Sequence, residues 1–125
     1  MILDTNALSA MADGDPALEA ILARAVELAV PVIVLGEYRY GIAASRKRLL
    51  YETWLAKVIR SCRILHVDEA TAGEYADIRG ELKRKGLPIP GNDVWIAALA
   101  RQHAMPVVSR DEHFDFGWKL KRVAW

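Results

Sequence analysis

Apolar residues in this chain fall into short uninterrupted runs, separated by longer segments in which they recur at helical spacing. The run at 1–3 is stopped by Asp4, Thr5 and Asn6, which predicts a buried strand starting almost at the first residue. Residues 6–12 predict a short helix, closed by the turn signal Asp13, Gly14, Asp15 and Pro16. Asp15 suits a helix cap and Pro16 the first helical position, with Leu18, Ile21, Leu22, Ala25 and Leu28 along one apolar face. The run at 31–35 predicts a second buried strand, with Pro31 at its start, where a missing N–H does least harm. A helix is expected from about 35–37 to 44. Ser45 offers a cap for the next, whose stripe is Leu50, Trp54 and Val58, flanked by Tyr51 and Leu55.

A third strand is predicted at 64–67. Asp68 then caps a long helix that turns Ala72, Tyr75, Ala76 and Leu82 inward and ends at Gly86. Residues 87–91 form a rigid Pro-Gly loop. Asn92 or Asp93 opens a helix running to His103, apolar nearly all round and therefore expected to be buried. A fourth strand is predicted at 106–109 and an edge strand at 120–125. Short apolar strands alternating with helices indicate an α/β fold, its parallel sheet covered on both faces. No repeat or linker divides the chain, so residues 1–125 are expected to form a single domain.

Composition narrows the classes. Hydrophobic residues make up 53% of the 125, enough for a real core. Seventeen basic residues against 16 acidic ones give a net charge of +1, which neither requires nor excludes a nucleic-acid partner. The lone cysteine, Cys62, cannot form an internal disulfide and reads as a small buried apolar residue. No apolar run reaches the roughly 20 residues that span a bilayer. The first residues lack the pattern of a secretory signal, so a cytoplasmic location is expected.

Four acids share a topological position. Asp4 ends the first expected strand, Glu37 follows the second, Asp93 opens a helix, and Asp111 lies two residues past the fourth strand. Ligands of open α/β sheets bind beyond the carboxyl ends of the strands. Two carboxylates about 4 Å apart repel by roughly 4 kcal/mol at an effective dielectric of 20. Convergence of all four therefore demands bound protons, Lys or Arg partners, or a divalent ion. An all-oxygen site suits Mg²⁺ or Mn²⁺. His66, His103 and His113 are scattered without zinc-ligand spacing, and each reads as structural or solvated. Three basic clusters (Arg46 to Arg48, Arg79 with Lys83 to Lys85, and Lys119 with Lys121 and Arg122) read first as solvated faces and second as RNA contacts.

Four segments carry a family resemblance. The opening run ending Asp4-Thr5-Asn6, the stretch Gly36-Glu37-Tyr38-Arg39-Tyr40-Gly41-Ile42 with Ser45 behind it, the helix from Asn92-Asp93, and the segment Val107-Val108-Ser109-Arg110-Asp111 resemble, in order, the motifs of PIN domains. Within that family they are similar to the VapC-type toxins. The resemblance implies a three-layer α/β/α fold with a central, mainly parallel sheet of four or five strands. It implies a Mg²⁺- or Mn²⁺-dependent endoribonuclease with Asp4, Glu37, Asp93 and Asp111 as metal ligands and Thr5, Asn6 and Ser109 supporting them. A bound ion would polarise the phosphate and lower the pKa of an attacking water. A homodimer and a cognate antitoxin that blocks the pocket are implied as well. Apolar stripes such as the one carrying Trp54, together with Tyr40, offer surfaces for those partners.

The chain departs from the family at one place. Ser109-Arg110 stands where Thr-Asn is usual, which leaves the role of Arg110 open, and Glu112 and Asp115 lie close enough to compete with Asp111. An aspartyl-phosphate phosphatase would need Asp two residues past Asp4, where Asn6 stands. A phosphoprotein receiver would need a second acidic pair beside the first strand. A housekeeping RNA-processing nuclease, or a binding module that kept the fold without the activity, would carry the same four acids.

Overall fold

The computed structural model describes residues 1–117 and 119–125. In chain order the elements are β1 (Ile2–Leu3), α1 (Thr5–Ala12), α2 (Pro16–Leu22), β2 (Ala29–Pro31), α3 (Val32–Ile42), α4 (Arg48–Ser61), β3 (Arg63–Leu65), α5 (Glu69–Lys85), α6 (Gly91–His103), β4 (Val107–Val108), a 3-10 turn (Glu112–Phe114) and β5 (Arg122–Val123). The strands form one sheet in the order β3-β2-β1-β4-β5. Every pairing is parallel, with Ile2 opposite Ala29 on one side and Val107 on the other. The connections from β1 to β2 to β3 run one way across the sheet and the return from β3 to β4 runs the other. With right-handed crossovers this puts helices on both faces. The α/β expectation of a mainly parallel sheet of four or five strands holds, with five strands and every pairing parallel.

Several local expectations do not. The second strand is Ala29–Pro31, not 31–35, and α3 begins at Val32. Residues 29–35 are uniformly apolar, and a short apolar run cannot be assigned to strand or buried helix by periodicity. Pro31 serves both elements. It pairs with Leu65 in the sheet and then, at φ −62° and ψ 143°, precedes the first turn of α3, where its missing N–H goes unneeded. Glu37 therefore lies in the second turn of α3 and not just beyond a strand end.

α2 stops at Leu22 although its apolar stripe continues to Leu28. The backbone there is already committed to the sheet, for Ala29 donates to the Met1 carbonyl and Arg63 to the Leu28 carbonyl, each at 2.9 Å. Ser45 accepts from Lys47 N–H, but α4 starts at Arg48 without a side-chain cap, and Leu50 is exposed. In α5 the Asp68 cap holds, in a reciprocal arrangement with Thr71, and Gly86 closes the helix at φ 64°. The inward stripe is Thr71, half-buried Tyr75, Ile78 and Leu82, while Ala72 and Ala76 face solvent. Apolar methyls there had little to gain from burial, and the larger side chains set the helix rotation. α6 is buried nearly all round, as expected, with Val94 and residues 96–100 in the core. It is entered from Pro90, so Asn92 and Asp93 sit in its first turn and not at its cap. Among the described residues, no helix is long and apolar enough to cross a membrane.

Candidate functional site: an acidic pocket at the switch point of the sheet

β1 and β4 are neighbours, and their outgoing connections leave in opposite directions across the sheet. Such a reversal opens a crevice at the carboxyl ends of the two strands. Asp4 leaves β1 there and Ser109 leaves β4.

Asp4 is the most enclosed acid, with 5% of its surface exposed. It occupies the N-cap of α1 and accepts from the Thr5 N–H at 2.7 Å. Its other oxygen accepts from the Asn6 amide and the Ser109 hydroxyl, both at 2.8 Å. Burial nevertheless raises its pKa. The donors from Ser109 and Thr5 work against that rise, and the charges of Asp93 and Glu37 add to it. The fully buried Ser109 hydroxyl also accepts from the Asp111 N–H at 2.9 Å. One hydroxyl thus fixes acids from both strand ends.

Glu37 reaches the pocket from α3, where its carboxylate accepts from the Thr5 hydroxyl at 2.8 Å. Asp93 enters from the first turn of α6 and Asp111 caps the 3-10 turn. Asp4, Asp93 and Asp111 therefore all sit at helix starts, where the backbone dipole favours negative charge. Burial, and then repulsion by Asp111 and Glu37, still raise the pKa of Asp93. Asp4 feels the charges of Asp93 and Glu37, and Asp93 those of Asp111 and Glu37, while Thr5, Asn6 and Ser109 bond to Asp4 and Thr5 also to Glu37. The competing acids are elsewhere: Glu112 is exposed, and Asp115 is gripped by Arg122 at 2.6 and 2.8 Å.

His113, expected to be structural or solvated, is the correction. Its Nδ1 lies 2.9 Å from Asp93 and 3.1 Å from Asp111, and ligand atoms of the three residues all fall within 4.8 Å. The hydrogen bond to Asp93 raises its pKa. Desolvation opposes that rise, and the charges of Asp111, Asp93 and Asp4 reinforce it. His113 is thus the group among the described residues that bridges two of the pocket acids and, when protonated, brings positive charge to them. The signal in the sequence was its place two residues past Asp111, visible only once those residues curl into a 3-10 turn.

Arg110 points away from the acids. Its N–H donates to the Asn6 side-chain oxygen at 3.1 Å, and its guanidinium pairs with Asp15 at 2.7 Å over the Trp125 ring. It braces the loop after β4 against the start of α2.

The donor set is hard and oxygen-rich, with a surplus of negative charge at partly buried carboxyls. That chemistry fits Mg²⁺ or Mn²⁺ and not a thiolate-loving metal.

The PIN domain family model matches residues 1–116. A protein named ribonuclease VapC5, from Mycobacterium tuberculosis, is 32% identical over 115 residues, covering 90% of this chain and 84% of the relative. Among solved structures, VapBC2 from Rickettsia felis bound to a promoter DNA fragment superposes with a TM-score of 0.87 at 26% identity, covering 99% of this chain and 97% of that one. A complex described as a member of the VapBC family of toxin-antitoxin systems, VapBC-5 from Mycobacterium tuberculosis, gives a TM-score of 0.80 at 29% identity, with 99% and 97% covered.

Proposed function

Because the chain belongs to the PIN domain family, matched over residues 1–116, we propose that it is a Mg²⁺- or Mn²⁺-dependent endoribonuclease and the toxin of a toxin–antitoxin pair. The observation that carries this reading is the set of acids at the β1/β4 switch point, where ligand atoms of Asp93, Asp111 and His113 lie within 4.8 Å and Asp4 and Glu37 couple to Asp93 by charge. The ribonuclease and toxin–antitoxin names of its relatives support it.

In this reading Asp4, Glu37, Asp93 and Asp111 hold the metal. When bound, a divalent ion supplies Lewis-acid polarisation of the scissile phosphate and acidifies a water. The chain's own groups do the positioning. Thr5, Asn6 and Ser109 immobilise Asp4 through its two oxygens, and Thr5 also holds Glu37. Ser109 ties the Asp111 backbone to that same carboxylate. His113 bridges Asp93 and Asp111, at 2.9 and 3.1 Å from them, and fixes their spacing. Preset donors of this kind lower the reorganisation needed at the moment of reaction.

A partner is supported by Tyr40, Leu49 and Leu50, large apolar side chains that α3 and α4 leave exposed. We assign them to contacts with an antitoxin or a second copy in a homodimer. An RNA substrate and an unpaired cysteine fit the cytoplasm.

The test is incubation with labelled total RNA in Mg²⁺ or Mn²⁺, beside EDTA and the Asp4→Asn variant. Cleavage is expected only with metal and wild-type protein. A folded protein that leaves RNA intact in every lane would refute the assignment.

A further inference from the structure

We propose that the groove between the second half of α5 and the loop at 87–89 is a binding track for single-stranded RNA beside the acidic pocket. The proposal rests on the ribonuclease reading and adds to it the surface that holds the substrate.

The pocket poses an electrostatic problem. Its carboxylates repel a polyanion, so cations must lie where the strand enters and leaves. The clefts that border the pocket do not supply them. One of about 290 Å³ is lined by Asp13 and Glu37, and another, beside Asn6, by Asp13 and Asp15 with Arg110 already paired. Arg122 and Arg101 are engaged with Asp115 and Glu81. A cleft carrying Lys121 and Met105 opens where the chain enters β4 and β5, at the edge opposite the pocket.

The α5 groove is different. It is lined by Arg79, Gly80, Lys83, Leu87, Pro88 and Ile89 among others, has a volume of about 650 Å³, and no carboxylate lines it. That volume is in the range of small-ligand sites. Arg79 and Lys83 are one helical turn apart on an exposed face, and among the described residues no acid forms an ion pair with either. Arg79 is held above the Tyr75 ring, 5.8 Å from its centroid, and Tyr75 stacks on Trp95 at 3.9 Å. Leu87, 45% exposed, Pro88 and Ile89 give the opposite wall an apolar surface suited to a base or ribose.

Two connections join this groove to the acids. Its loop runs through Pro90 directly into the first turn of α6, which carries Asp93. Lys85, at the end of α5, bonds the Phe116 carbonyl, on the segment that also bears Asp111 and His113. A strand lying along Arg79 and Lys83 thus leads toward the cutting site. Phosphate contacts of this kind fix register without reading sequence.

The test uses the full chain with Asp4→Asn to suppress cleavage, a fluorescein-labelled single-stranded RNA, and anisotropy across a NaCl series. Adding Arg79→Ala and Lys83→Ala should weaken binding about tenfold or more and reduce the slope of log affinity against log salt by about 1.4, or about 0.7 per phosphate released. Lys57→Ala with Arg60→Ala, on the exposed side of α4, should leave both unchanged. An unchanged slope in the α5 variant overturns the proposal. If sizing shows that the variant instead alters the oligomeric state while RNA binding persists, the groove is a protein interface and the proposal also falls. Absence of RNA binding by the parent protein would refute the ribonuclease reading itself, an outcome distinct from either.

Discussion

Two clusters of buried charge lie in this small domain and follow opposite rules. Glu81 on α5 and Arg101 on α6 form a one-to-one ion pair at 2.5 Å, largely shielded from solvent. The hydrogen bond from Arg101 pulls the Glu81 carboxyl below its ordinary pKa. In the acidic pocket, Asp93, Asp111 and Asp4 act on the one imidazole of His113, Glu37 adds its charge to Asp4 and Asp93, and burial together with repulsion pushes those two upward. The first cluster is balanced within the chain and holds two helices together. The second is short of positive charge by construction, which marks it as prepared for something the chain does not contain.

The contrast is broken most severely by Asp93→Asn. On the metal-dependent nuclease reading, RNA cleavage in Mg²⁺ should fall at least about 100-fold, since the substitution would weaken the hold on an ion worth several kcal/mol to the reaction. The metal-free protein should melt no earlier, because the cost of burying the Asp93 charge, together with repulsion by Asp111 and Glu37, outweighs the bond to His113 that the change weakens. Single-turnover cleavage and calorimetry in EDTA measure the two effects, and a large stability loss would erase the distinction between the clusters.

Glu81→Gln should do the reverse. It strands Arg101 without a countercharge, at a cost of about 3 kcal/mol in chemical denaturation. Cleavage by the protein that remains folded should be unaffected.

Acidity separates the clusters further. His113 has a pKa raised above 6.5, so the stability it contributes is complete below that value and lost as pH rises through its folded pKa. Asp4 and Asp93 are raised above 3.8, so ionising them also costs stability with rising pH. Both trends run the same way, so in EDTA the melting temperature should drop as pH rises, with the His113 part of the drop setting in above about 6.5. His113→Gln should flatten that drop. A profile that rises with pH would contradict the assignment.

Tyr38→Phe is the smallest change. The Tyr38 hydroxyl is buried with no partner among the described residues, and burial pushes its pKa to about 12. Phe keeps the ring contact with Trp54, 5.9 Å between centroids, and removes an unpaired polar atom. Stability should hold or rise by up to about 1 kcal/mol in a urea titration. A clear loss would mean that the hydroxyl is bonded after all.

What the sequence revealed follows the same division between local and distant causes. Asp4 was legible as the end of the first strand, though not as the cap of α1, and Asp68 and Gly86 because caps announce themselves locally. The β2–α3 boundary was not, since Ala29 to Leu35 offers one apolar character to two kinds of element. His113 was missed because its meaning depends on Asp93, 20 residues earlier in the chain and brought alongside only by the packing of α6. Leu50 and Ala72 were misjudged for a related reason: periodicity names candidate faces, and the neighbouring elements decide how far each helix is rotated.

The junctions that misled the sequence reading also bear on timing. Pro31 ends β2 and Val32 begins α3 with nothing between them, and a single residue separates β1 from α1. No hinge of several residues stands between the sheet and the helices that carry Glu37 and the Asp4 cap. Side chains mounted in this way would have little to rearrange on taking up the proposed ion. On that reading, loading of the pocket should be paced by the ion shedding its own water, which Mg²⁺ does reluctantly, and not by any gating motion of the protein.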